Sequence, residues 1–197
     1  MNVFRKLVSF TIALYGIVFL FITLFPGLAS FIMPIEPLMY FAELILPISF
    51  IIYFCINSAN KIACIFCAVS LIFILISIII GITNPTESLL SGNFSQFISY
   101  MNRARISANF MNLGTALLGA ALFIKSFYEN NNKPLKNIYK FGAGFSVYFL
   151  ILTFIKTANL PSDIILRILS SLVFLWYIYL IIFAFFTFFR KDVHKEK

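Results

Sequence analysis

The sequence predicts an all-α, polytopic membrane protein: a bundle of six transmembrane helices with an interfacial amphipathic helix between the third and the fourth. Three observations carry this expectation. Apolar residues make up 61% of the 197 and charged residues only 11%, too few polar side chains to clothe a water-facing surface. Six apolar runs approach the roughly 20 residues that cross a hydrocarbon core of about 30 Å at about 1.5 Å per residue. The basic residues alternate between connections, the pattern left by membrane insertion.

The first span is expected over 7–25 and stops at Pro26-Gly27, a pair that breaks a helix. Arg5 and Lys6 before it, and Leu28-Ala29-Ser30 after it, resemble a secretory signal, but nineteen apolar residues exceed the 7 to 15 or so of a signal core. An uncleaved span is the expectation. The second span, 38–55, carries Glu43 and Pro47 inside it, and a short connection makes it a hairpin with the third, 62–82.

Between the third and fourth spans, Leu90, Phe94, Phe97, Ile98 and Met101 recur at helical spacing with Ser91, Ser95, Gln96, Ser99 and Asn102 between them. This predicts an amphipathic helix lying at the interface, or a lid over a site. The remaining spans are expected at 106–124, 139–157 and 164–189, and a basic tail, 190–197, closes a single domain that occupies the whole chain, 1–197.

Charge fixes an expected orientation. Eleven of the fifteen basic residues fall on one side: Arg5, Lys6, Lys61, Lys125, Lys133, Lys136, Lys140, Arg190, Lys191, Lys195 and Lys197. Only Arg103, Arg105, Lys156 and Arg167 fall on the other, which also holds four of the seven acids, Glu36, Glu43, Glu87 and Asp163. Both termini are therefore expected in the cytoplasm. The net charge of +8 then lies at the cytoplasmic face, where it attracts anionic lipid. In this context the basic balance records topology and does not signal nucleic-acid binding. A bias toward Lys, Ile, Phe and Asn fits a bacterial chain, hence an inner-membrane location.

Chemistry-bearing residues are sparse. The single histidine, His194, is in the tail, so the spans contain no imidazole for haem, a His-built metal site or Ser-His catalysis. Cys64 and Cys67 form a C-x-x-C with Cys55 nearby. That spacing serves redox pairs and half-sites for zinc, but here it lies in an apolar helix with no second pair, where small thiols pack well. A reducing cytoplasm also keeps a structural disulfide from persisting. No cofactor, metal or catalytic residue is expected, and the Walker, Rossmann, metalloprotease and kinase patterns are absent from the sequence.

The fourth span is the most polar. Arg105, Asn109, Asn112, Ala116 and Gly119 share one stripe, which serves either close helix packing or a ligand-lining face. The fifth carries Gly142, Ser146, Thr153 and Lys156 on one side, and the sixth opens with Arg167. Glu43 in the second span is costly in lipid and must pair, protonate or face water. Topology brings Glu43, Arg105, Lys156 and Arg167 to similar depths in the outer half, which predicts an outward polar vestibule with Glu43 paired to Arg105.

Three classes of function follow. A small carrier or permease-like protein would use Glu43 for a proton or cation and Arg105, Asn109 and Asn112, with Lys156 and Arg167, for a small solute. A non-enzymatic subunit or assembly factor would instead offer its polar stripes to partner membrane helices. An intramembrane enzyme or thiol redox protein has least support, since the spans hold no His and no paired carboxylates. Matched halves of the kind many carriers show are not evident, because Pro47 has no counterpart in the fifth span.

Overall fold

The structure, a computed structural model, describes residues 2–25, 36–56, 61–83, 94–129, 133–158 and 168–189. Among these residues it is all-helical. The helices are α1 (Asn2–Leu24), α2 (Glu36–Ile56), α3 (Lys61–Ile82), α4 (Phe94–Tyr128), α5 (Lys133–Thr157) and α6 (Phe174–Phe188). The signal-like Leu28-Ala29-Ser30, the basic tail with His194, and Arg167 lie outside the described residues.

Among the described residues, five helical segments are long and apolar enough to cross a membrane: Val3–Leu24, Lys61–Ile82, Phe94–Tyr128, Lys133–Thr157 and Ile168–Phe188. The other apolar helix is the shorter Ala42–Cys55 stretch of α2. Large apolar side chains are exposed on every described helix. On α1 the exposed side chains include Val3, Leu7, Phe10, Leu14, Ile17 and Phe21, whereas the buried ones include Arg5, Ser9, Ile12, Tyr15 and Phe19. A chain that shows apolar groups outward and buries polar ones is built for a hydrocarbon solvent.

Each helix packs on its neighbours in sequence and α6 returns to α1, so the six form a ring. Ser9 near the start of α1 bonds Thr187 near the end of α6, Oγ to Oγ1 at 2.8 Å. The starts of α1, α3 and α5 and the ends of α2, α4 and α6 therefore share one end of the bundle, the terminal end. Aromatic rings fill the ring's interior there. Tyr53 of α2 and Tyr139 of α5 join hydroxyl to hydroxyl at 2.6 Å, and both rings pack against Phe183 of α6. All three are buried.

Small and hydroxyl residues set the closest packing. Between α3 and α4, Ser70 Oγ donates to the Gly114 carbonyl at 2.6 Å, while Ser77 Oγ donates to the Ser107 carbonyl and Ser107 Oγ to the Ser77 carbonyl at 2.8 and 2.9 Å. Each such bond is worth about 0.6 kcal/mol in lipid. Between α4 and α5, Gly119 and Gly142 face one another so closely that a Cβ on Gly142 would lie 2.5 Å from the Gly119 carbonyl oxygen. The α5 and α6 contact is different: Phe145 and Phe149 wedge against Trp176, and Phe145 also meets Tyr179, so bulky rings hold these two backbones apart.

The expected separate interfacial helix is corrected over its described part. Phe94 to Met101 form the first turns of α4, which runs unbroken for 35 residues to Tyr128. The sequence from Phe94 to Leu113 has no Gly or Pro, so nothing in it stops the helix before the expected fourth span. Phe94, Phe97, Ile98 and Met101 remain exposed on this extension.

Candidate functional site

Glu43 is in the second turn of α2, on the half of the bundle away from the terminal end. The partner that the structure gives its carboxylate is not Arg105 but Tyr15 of α1, whose hydroxyl donates to Oε2 at 2.5 Å. Tyr15 stacks on Phe19 at 4.4 Å between centroids, and both rings pack against Tyr177 of α6. Three helices thus meet around one half-buried acid. A carboxylate in hydrocarbon needs such a donor, because an unpartnered charge there costs several kcal/mol.

Helical bonding departs from the regular pattern at one point of α2 and at one point of the α6 span. Pro47 lies inside α2, and its missing N–H is the one that would have bonded the Glu43 carbonyl four residues earlier. At the start of the α6 span the bonds tighten to an i to i+3 pattern, from Leu172 N to Leu169 O and from Val173 N to Ser170 O. The Leu169 carbonyl also accepts from the Tyr148 hydroxyl of α5 at 2.5 Å. Tyr177 of α6 lies within electrostatic reach of both Glu43 and Tyr148.

The expected residues of α4 and α5 gather in a second cluster. Asn109 Nδ2 donates to Thr157 Oγ1 at 3.1 Å, which places the α4 stripe against the end of α5 that carries Lys156. Asn109 Oδ1 and Asn112 Nδ2 are buried without a hydrogen-bond partner, and Asn112 is only 9% exposed. An orphaned acceptor and an orphaned donor one turn apart suit a water or a small solute that offers both. Arg105 and Lys156 are half-buried at the same end of these helices.

The structure therefore divides the expected vestibule into a carboxylate cluster on α1, α2 and α6 and an amide cluster on α4 and α5. Sequence reasoning missed Tyr15, Tyr148 and Tyr177. Their signal was present: Tyr favours the two membrane interfaces, so Tyr15 in mid-span was already anomalous. The C-x-x-C pair itself makes no sulfur contact that the structure shows. The thiol that meets Cys64 is Cys55 across the α2 and α3 contact, with the sulfurs 3.5 Å apart, whereas Cys67 is buried one turn further along α3.

Among the described residues no group of three or more His, Cys, Asp or Glu side chains is placed to hold a metal ion. No protein-family model, curated protein or solved structure matches the chain.

Proposed function

We propose that the chain is a six-span carrier of a small polar solute in a bacterial inner membrane, with both termini cytoplasmic and Glu43 as its proton or monovalent-cation site. α2 is the sixth span: its 21 residues reach about 31 Å, enough to cross. The basic terminal end faces anionic lipid in the cytoplasmic leaflet. The outward half holds two polar clusters, one of Glu43 with Tyr15 and the other of Arg105, Asn109, Asn112 and Lys156.

One observation carries the reading: an acid held by a phenol of the neighbouring helix, four residues before Pro47 leaves the acid's own backbone carbonyl without its helical donor. A carbonyl freed from helical bonding next to a carboxylate supplies oxygen ligands of the kind that carriers offer to coupling ions. The alternative of a subunit with polar faces for partner helices has less support, because Ser70, Ser77, Ser107, Gly119 and Gly142 make their contacts within the chain.

The test uses proteoliposomes loaded with a pH-sensitive dye and challenged with amino acids, sugars and amines in turn. A solute-driven pH change should be lost in Glu43→Gln and kept in Lys140→Ala; an equal flux in Glu43→Gln refutes the reading. Orientation is checked with single cysteines in a cysteine-free background: Gly92→Cys should react from outside and Asn131→Cys should not.

A further inference from the structure

We infer that Cys55 and Cys64 form a reversible dithiol site, oxidised to an intramolecular disulfide by low-molecular-weight disulfides, which ties α2 to α3 at the terminal end of the bundle. The site is a pair of side chains on two helices. Cys55 is the last residue but one of α2, and Cys64 lies in the first turn of α3. Their sulfurs are 3.5 Å apart, Cys55 is exposed and Cys64 is half-buried. About 1.5 Å of closure separates this contact from a disulfide bond of about 2.05 Å. Both positions adjoin helix ends, where backbone adjusts at least cost.

The geometry also selects the pair. Cys64 and Cys67 lie at i and i+3 of one continuous helix, where Cβ atoms are about 5 to 6 Å apart, against about 3.8 Å in a disulfide. Bridging them would distort α3. Cys67 is in addition fully buried, whereas Cys55 is exposed at the helix end.

The exchange balances without any further reactant. The Cys55 thiolate attacks one sulfur of the small disulfide and expels the other half as a thiolate, leaving a mixed disulfide. The Cys64 thiolate then attacks Cys55 Sγ and expels the second half. Two protein thiols and one small disulfide become one protein disulfide and two small thiols, with the two protons taken up by the departing thiolates. Excess small thiol reverses both steps. The bridge pins the end of the helix that bears Glu43 and Pro47, which makes the pair a redox clamp on α2.

The full chain in detergent micelles is incubated with glutathione disulfide, denatured, and labelled with a polyethylene-glycol maleimide. Label uptake should fall from all three cysteines to one and return to three after dithiothreitol. Peptide mapping should find the bridge between Cys55 and Cys64. Cys67→Ala should keep the two-thiol loss, and Cys55→Ser should abolish it. Uptake that stays at three, glutathione adducts that never resolve to a bridge, or a bridge mapped to Cys64 and Cys67 overturns the inference.

Discussion

Replacing Gly142 with Ala adds one methyl group to the tightest helix contact in the bundle. That methyl would lie 2.5 Å from the Gly119 carbonyl oxygen, 2.9 Å from Leu122 Cβ and 3.2 Å from the Phe123 nitrogen. Two of these three atoms are backbone and cannot rotate away, so α4 and α5 must separate by nearly 1 Å. A gap of that size forfeits a quarter to a half of each dispersion contact; with on the order of 30 atom pairs at about 0.15 kcal/mol each, the loss is about 1.5 kcal/mol. That falls within the roughly 1–3 kcal/mol typical of overpacked cores. At about 2–4 °C per kcal/mol for a chain of this size, the apparent melting temperature should drop by about 3–6 °C. The assay is thermal unfolding in detergent, followed by fluorescence of Trp176, the single tryptophan, which is 2% exposed between Phe145 and Phe149. Gly144 supplies the control, because a Cβ there meets nothing within 4 Å. Gly144→Ala should hold or raise the melting temperature, since Ala is favoured over Gly in a helix by up to about 1 kcal/mol. A Gly142→Ala protein that melts with the parent, or shifts in the same direction as Gly144→Ala, refutes the close-contact argument.

Two further substitutions probe the polar clusters. Tyr15→Phe removes the donor that holds the Glu43 carboxylate and should destabilise by about 1–3 kcal/mol, whereas the double change Tyr15→Phe with Glu43→Leu should recover most of that loss, because no acceptor is left stranded; equal melting of the single and double variants in detergent would refute it. Asn112→Leu removes a buried, unpartnered amide and should leave the melting temperature unchanged or higher while reducing any solute-driven flux; a drop equivalent to about 1 kcal/mol or more would show that the amide serves packing.

The sequence made the apolar helices legible because length and hydropathy are local properties, and the absence of breakers from Phe94 to Leu113 was equally local. What it did not disclose were pairings between helices. Glu43 was marked as costly, yet topology alone does not choose between Arg105 and Tyr15 as its donor, since depth does not tell which helix is adjacent. Ring order decides that, and α1 rather than α4 lies beside α2. The same reason applies to the thiols: the sequence placed Cys55, Cys64 and Cys67 near one another, and only the packing of α2 on α3 shows that Cys55 and Cys64 meet. The small-residue stripe of α4 was visible, but its division among Ser70, Ser77, Gly142 and Thr157 needed three dimensions.

The length of α4 has a mechanical consequence. Thirty-five residues span about 52 Å, and even a tilt of about 40° leaves roughly 40 Å along the membrane normal, more than a core of about 30 Å accommodates. Some turns therefore stand outside the hydrocarbon as a rigid extension of a span whose inner part is clamped by α3 and α5. Such a rod is a lever. A rocking of about 10° about the Gly119 contact displaces Phe94, some 37 Å away, by about 6 Å. Motions too small to notice within the membrane would be amplified at its projecting tip.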